Sequence, residues 1–282
     1  MPRDDDTLPF FVAGVALVTA GVAWALWPKQ AEASALPPRS YAPHTSPSAP
    51  SEAPMSNTMP AFLAAAPSAG AARERYFEAA VDAPTFVRIP LGQGVEVAVS
   101  SDYLTAQGVR VPLWPSTAQR VADRFGAMLP TKALVDAIWR AATVKVAPRS
   151  MTPRADASRD SNKLLAEHEV LVNAAIAGRT GLIDGDKKSI VVGRAIATPE
   201  GRRAVWIYGW HRLNGEPVQP VYGGHSATYG ADYSHGTRLV SRTAYLNGQP
   251  VAIESLFADP RYAPLLNESG TLTPAMLRYP TS

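Results

Sequence analysis

Three of the five histidines, His211, His225 and His235, fall between residues 208 and 238, in the stretch YGWHRLNGEPVQPVYGGHSATYGADYSHGTR. Tyr208, Trp210, Tyr222, Tyr229, Asp232, Tyr233 and Arg238 stand among them. Imidazole titrates near neutrality, so each histidine is a candidate acid, base or ligand. Gly209, Gly223, Gly224, Gly230 and Gly236 loosen the backbone between them. Polar groups on Gly-rich loops beside strands are a common way to build a site. The plainer account is that Tyr and His end strands while Gly marks turns.

Metal chemistry is one option. His211, His225 and His235, with Asp232, supply ligand types that zinc accepts. Their spacing matches no pattern that fixes ligands on one helix, unlike HExxH, so the expectation is no cofactor, with zinc as the alternative. Acid–base chemistry without metal is the second option. Ser234 adjoins His235, yet no G-x-S-x-G elbow exposes it. If the stretch is extended, alternation puts Tyr233 and His235 on one face and Asp232 and Ser234 on the other. His235, His225, His211 and Tyr233 are therefore the candidate catalytic residues. Arg238 could hold a carboxylate bidentately, and Trp210 and Tyr208 offer aromatic faces to a sugar ring. The run Asp184-Gly185-Asp186-Lys187-Lys188 places lysines where a calcium loop needs ligands. Its basic residues, Lys188 among them, could bind a carboxylate or phosphate, although an exposed hairpin turn is the simpler reading.

The run Ser234-His235-Gly236-Thr237-Arg238-Leu239, with His225 upstream and Gly248-Gln249-Pro250-Val251-Ala252-Ile253 downstream, resembles the active-site stretch of L,D-transpeptidases. That family cross-links peptidoglycan through a Ser-His-Gly-Cys-x-Arg motif with another histidine upstream. Here Thr237 stands at the cysteine position, the arginine comes one residue early and the histidine gap is shorter. A threonine hydroxyl without an adjacent base is a poor nucleophile. The segments at Thr117–Gly126, Leu129–Lys132, Tyr208–His211 and Asp232–Gly236 together resemble an uncharacterised group of exported bacterial proteins, to which no activity attaches.

The elements that must position these residues can be read from periodicity. Residues 71–83 have helical composition and stop at Pro84. Residues 86–89 and 95–99 alternate like half-buried strands. Ser116 or Thr117 is expected to cap a helix carrying Val121, Ala122 and Phe125, and Thr131 a second one with the apolar stripe Leu134, Val135, Ile138 and Trp139. A polar loop, 148–161, precedes a helix from Asn162 whose apolar side includes Leu164, Leu165, His168, Leu171 and Val172. Strands are expected at 189–192, 204–208 and 238–246, and Asn247-Gly248 is a type I′ hairpin signal. A last helix covers 253–257. Helices in the first half and mainly antiparallel sheet in the second predict an α+β class, here over a single domain, 71–282.

Residues 9–27, PFFVAGVALVTAGVAWALW, carry no charge and would span about 28 Å as a helix, near the thickness of a bilayer core. Segment 1–29 is thus read as a membrane anchor or signal segment. Asp4, Asp5 and Asp6 at its start favour an uncleaved anchor, while Ala33-Ser34-Ala35 could serve a signal peptidase. Residues 30–70 hold much of the excess of 26 prolines and read as a disordered Pro/Ala/Ser tether. The chain has no cysteine, which removes disulfides and Cys nucleophiles. Its net charge of +3 comes from scattered basic residues without a stripe, so nucleic-acid binding is not expected. The expectation is an envelope protein held by residues 9–27, with its folded domain outside the cytoplasm. Its function would be hydrolysis of a cell-wall polymer such as peptidoglycan. A non-catalytic peptidoglycan or glycan binder and a zinc-dependent peptidase are the alternatives.

Overall fold

The computed structural model describes residues 59–226 and 231–281. The apolar run 9–27 and most of the proposed tether lie outside them. Among the described residues no helix is long and apolar enough to cross a membrane.

The described chain opens with α1 (Ala61–Ala65) and α2 (Gly70–Ala80). Helix α1 falls in the stretch that composition assigned to the tether, and it corrects that boundary. Its Phe62 and Leu63 are buried, and Phe62 stacks on Tyr76 with ring centroids 5.1 Å apart. Two large apolar side chains are enough to dock a five-residue helix, and a compositional average dominated by Ala and Pro hides them. Asn162 Nδ2 also donates toward the carbonyls at its C-terminal end, on Leu63, Ala66 and Pro67.

Strands β1 (Phe86–Gly92) and β2 (Val95–Ser100) form an antiparallel hairpin in which Val95, Val97 and Val99 are buried, the period of two that the sequence shows. The short ribbon β3 (Thr105–Ala106) and β4 (Val109–Arg110) follows. Helix α3 (Pro115–Arg124) starts earlier than a cap at Ser116 or Thr117 would allow. Pro115 takes its first position, where the missing N–H costs nothing, and Trp114 N donates to Glu74 Oε2 instead. After β5 (Ala127–Met128), α4 (Lys132–Ala141) is capped as expected, Thr131 Oγ1 accepting from Leu134 N. Strand β6 (Val144–Lys145) and the polar loop lead to α5 (Asn162–Ile176), which Ser161 caps and the left-handed Ala177 ends.

The second half holds β7 (Ile183–Asp184), β8 (Lys188–Ile190), α6 (Pro199–Arg202), β9 (Ala204–His211), β10 (Pro217–Ser226), β11 (His235–Gly236), β12 (Val240–Leu246), β13 (Gln249–Ala252), α7 (Ile253–Ala258) and α8 (Ala263–Leu266). One sheet orders its strands β1-β2-β12-β13, with β5 also on β12, and is antiparallel throughout. The other runs β10-β9-β8-β11, with only β8 and β11 parallel. Asn247 and Gly248 both have positive φ, the type I′ geometry their pair signals. The molecule is a mixed α+β fold whose antiparallel sheets lie mostly in its second half. Val97 and Val99 of β2, Leu134 and Ile138 of α4, Leu239, Val240 and Phe257 belong to one buried cluster that fixes the first sheet against its helices.

Candidate functional site

The second sheet brings His235, Lys188 and Gly209 into one row, because β11 pairs with β8 at His235–Lys188 and β8 with β9 at Lys188–Gly209. Asp232 reaches the same place through a turn. His235 N donates to Asp232 O at 3.0 Å, while Ser234 N and Oγ donate to Asp232 Oδ1 at 2.8 and 2.5 Å. An Asx turn of this kind replaces the extended backbone that alternation assumed, so the expected Tyr233–His235 pair does not form. Tyr233 points into the core instead, against the His168 ring (4.9 Å), its Oη accepting from Met151 N at 2.8 Å. Asp232 is joined to His235 by this backbone hydrogen bond, and its carboxylate bears on the imidazole through charge.

Burial holds the His235 imidazole down to about 4, against the pull of the Asp232 carboxylate and with help from Lys188, His225 and Lys187. His225, half-buried on β10, is therefore close enough to bear on the charge of His235, and its ring meets Tyr222 edge-on at 5.3 Å. Burial opposes ionisation of Asp232, yet His235, Ser234 and Lys188 together keep its carboxyl below the usual range. Lys188, half-buried, is lowered by burial, with Asp232 opposing the shift and Arg159 adding to it. At neutral pH the group thus combines a neutral imidazole and a carboxylate with the Lys188 side chain alongside. Trp210 completes it. Lys188 Nζ stands 5.0 Å from the centre of its indole, which is 5% exposed.

A second group forms around Asp136 of α4. Tyr208 Oη donates to Asp136 Oδ1 at 2.7 Å, His211 Nε2 lies 3.1 Å from the same oxygen, and Lys132 Nζ donates to Oδ2 at 3.0 Å. His211 is stacked on Trp139 at 5.3 Å and is buried. Burial would raise the Asp136 carboxyl, but hydrogen bonds from His211, Tyr208 and Lys132 bring it down to about 2. Burial and the hydrogen bond to Asp136 push the Tyr208 hydroxyl up to about 12. His211 and Tyr208 are in this way drawn to α4. A cleft of about 270 Å³ opens beside Lys132, walled by Val191, Ile196, Trp206 and Val221.

The remaining expected residues lie inside the protein. Arg238 is fully buried beneath the sheets. Its Nη1 donates to Ser100 O (2.8 Å), its Nη2 to Ile183 O (2.6 Å) and Asp184 Oδ1 (3.0 Å), and its guanidinium lies over the Tyr103 ring. It ties three backbone segments together and offers no fork to an outside carboxylate. Thr237, at the position of the transpeptidase cysteine, is likewise fully buried. The run 184–188 is not an exposed turn, since Asp184, Asp186 and Lys187 are all buried. Lys187 Nζ donates to Tyr233 O at 2.7 Å and lies 3.1 Å from His168 Nδ1. Burial lifts Asp186 to about 7 and drops His168 to about 2. Arg110 gathers the nearby acids, pairing with Asp102 (2.6 Å), Glu169 (2.5 Å) and Asp186 (3.4 Å). Sequence reasoning missed Asp136 and this interior network. The available signal was His168 itself, a titratable residue on the apolar side of α5.

Among the described residues no three His, Asp or Glu side chains converge as a metal site requires. Tyr229 lies outside the described residues. No protein-family model, curated protein or solved structure matches the chain.

Proposed function

We propose that the folded domain is the catalytic part of an envelope hydrolase that acts on a cell-wall polymer, peptidoglycan, with His235 as its general base. The observation that carries this reading is the buried imidazole of His235, tied to Asp232 through the backbone and in register with Lys188, where burial keeps it unprotonated and the Asp232 charge acts in the opposite sense. A base must be unprotonated at the working pH and must be stabilised once it takes a proton. Burial supplies the first condition and Asp232 the second. In the proposed step, His235 removes a proton from water as the oxygen attacks the scissile carbon, and Asp232 stabilises the resulting imidazolium. His235 then returns that proton to the leaving group as the scissile bond breaks. The location rests on the uncharged run 9–27 and the proline-rich stretch after it.

The cations lying over the Trp210 and Tyr208 rings support acid–base chemistry over a glycan-binding module. A stacking platform needs an open aromatic face, and Lys188 and Lys132 already lie over these two rings. The test is to incubate the full-length protein with purified peptidoglycan and identify released fragments by mass. Wild type should release fragments, and His235→Ala should reduce the rate by about 10² or more, the usual worth of a general base. Equal release by the variant, or no release by wild type, would remove the proposal.

A further inference from the structure

Trp210 breaks two rules of its surroundings at once. It is a non-glycine residue in a strand with φ of 57°, and its indole Nε1 is buried without a hydrogen-bond partner among the described residues. A left-handed backbone at a bulky residue costs on the order of 1–3 kcal/mol, and such strain clusters at ligand-binding positions. A buried N–H left unbonded adds a desolvation penalty. Both costs fall on the one aromatic residue that lies under Lys188 Nζ. An indole N–H is a donor only, so neither Lys188 nor Arg159 can satisfy it, and an acceptor oxygen must.

We propose that Trp210 Nε1 and Lys188 Nζ together bind a carboxylate of the substrate, deepening the hydrolase reading by placing an acidic group next to His235. The ammonium supplies the charge and the indole N–H the direction. Half-buried Lys188 provides the approach, whereas the neighbouring cations Arg238 and Lys187 are fully buried and already bonded to Ser100, Ile183 and Tyr233 carbonyls. Asp232 stands near enough to lend Lys188 a counter-charge. An anion entering the site takes over that role.

The test is a titration of the ¹⁵N-labelled full-length protein with sodium acetate, followed at the six indole N–H signals. Trp210→Phe identifies its own signal by loss. That signal should move downfield and saturate with acetate, and should stay still with acetamide or with sodium chloride at matched ionic strength. Lys188→Gln should weaken the apparent affinity about tenfold, and Lys188→Arg should restore most of it. A Trp210 signal that ignores acetate, follows acetamide or chloride equally, or is indifferent to Lys188→Gln overturns the proposal. No turnover is needed, so a positive titration without release of wall fragments would remove the hydrolase reading and leave the carboxylate site standing.

Discussion

Tyr208 and His211 meet on one oxygen of Asp136, although residues three apart in a regular strand project to opposite faces. The reversal comes from the two residues between them, Gly209 at φ 104° and Trp210 at φ 57°. All four residues, 208 to 211, are consequently buried. The same pair of left-handed residues sends Tyr208 and His211 to α4 and leaves Trp210 under Lys188.

That convergence predicts coupling. Asp136→Asn and Tyr208→Phe should each lower stability by about 1–3 kcal/mol in urea, the usual cost of unpairing a buried polar group. The double variant should lose less than the sum by about 0.5–3 kcal/mol. Strict additivity would mean that the Tyr208–Asp136 bond contributes nothing in solution.

The pH dependence of the proposed reaction follows from His235. Only the neutral imidazole is a base, so the rate should rise through about pH 4 and stay level across neutrality, not rise near the ordinary histidine value of about 6.5. Asp232 raises the pKa of His235, and Asp232→Asn should therefore move the acid limb lower while reducing the plateau about tenfold or more. A limb that stays put or moves upward in this variant would show that another group is titrating.

Arg238 offers a different outcome from any surface cation. Arg238→Met should cost about 3–5 kcal/mol of stability, because Asp184 is left as a buried charge without its partner. If the variant folds normally and loses only affinity for the wall polymer, the interior assignment fails.

Stability should fall as the medium is acidified below about pH 6.5. His235 and His168 are held at about 4 and about 2 in the folded state, so the unfolded chain takes up protons that the folded protein refuses. Asp186 opposes them. Its folded value of about 7 lies above the ordinary carboxyl value of 3.8, so its contribution is complete at low pH and is lost as pH rises through 7. Two imidazoles outweigh one carboxyl between pH 4.5 and 6.5. Asp186→Asn removes the opposing term, and urea midpoints across that range should show a steeper dependence in the variant than in wild type.

Much of this protein is written locally. Thr131 and Leu134 specify the start of α4, alternating valines specify β2, and Asn247-Gly248 specifies a hairpin. Each depends on neighbours a few residues away, where backbone geometry and side-chain period act directly. Phe62 was already a limit, since its burial depends on Tyr76 and Phe77 rather than on the alanines beside it. The residue types of the site, three histidines among tyrosines and glycines, were also legible as a group. Their partners were not. Asp232 rather than Tyr233 serves His235 because a turn replaces a strand. His211 answers to Asp136, 75 residues away, because two left-handed residues reverse the facing of β9. Arg238 lies inside because β2 and β7 bring three acceptors around it. Such choices depend on strand register and on single positive φ angles, and one step in either redirects a side chain to the opposite face. Local sequence therefore determined the elements and the chemistry on hand, while the tertiary structure alone decided which groups meet.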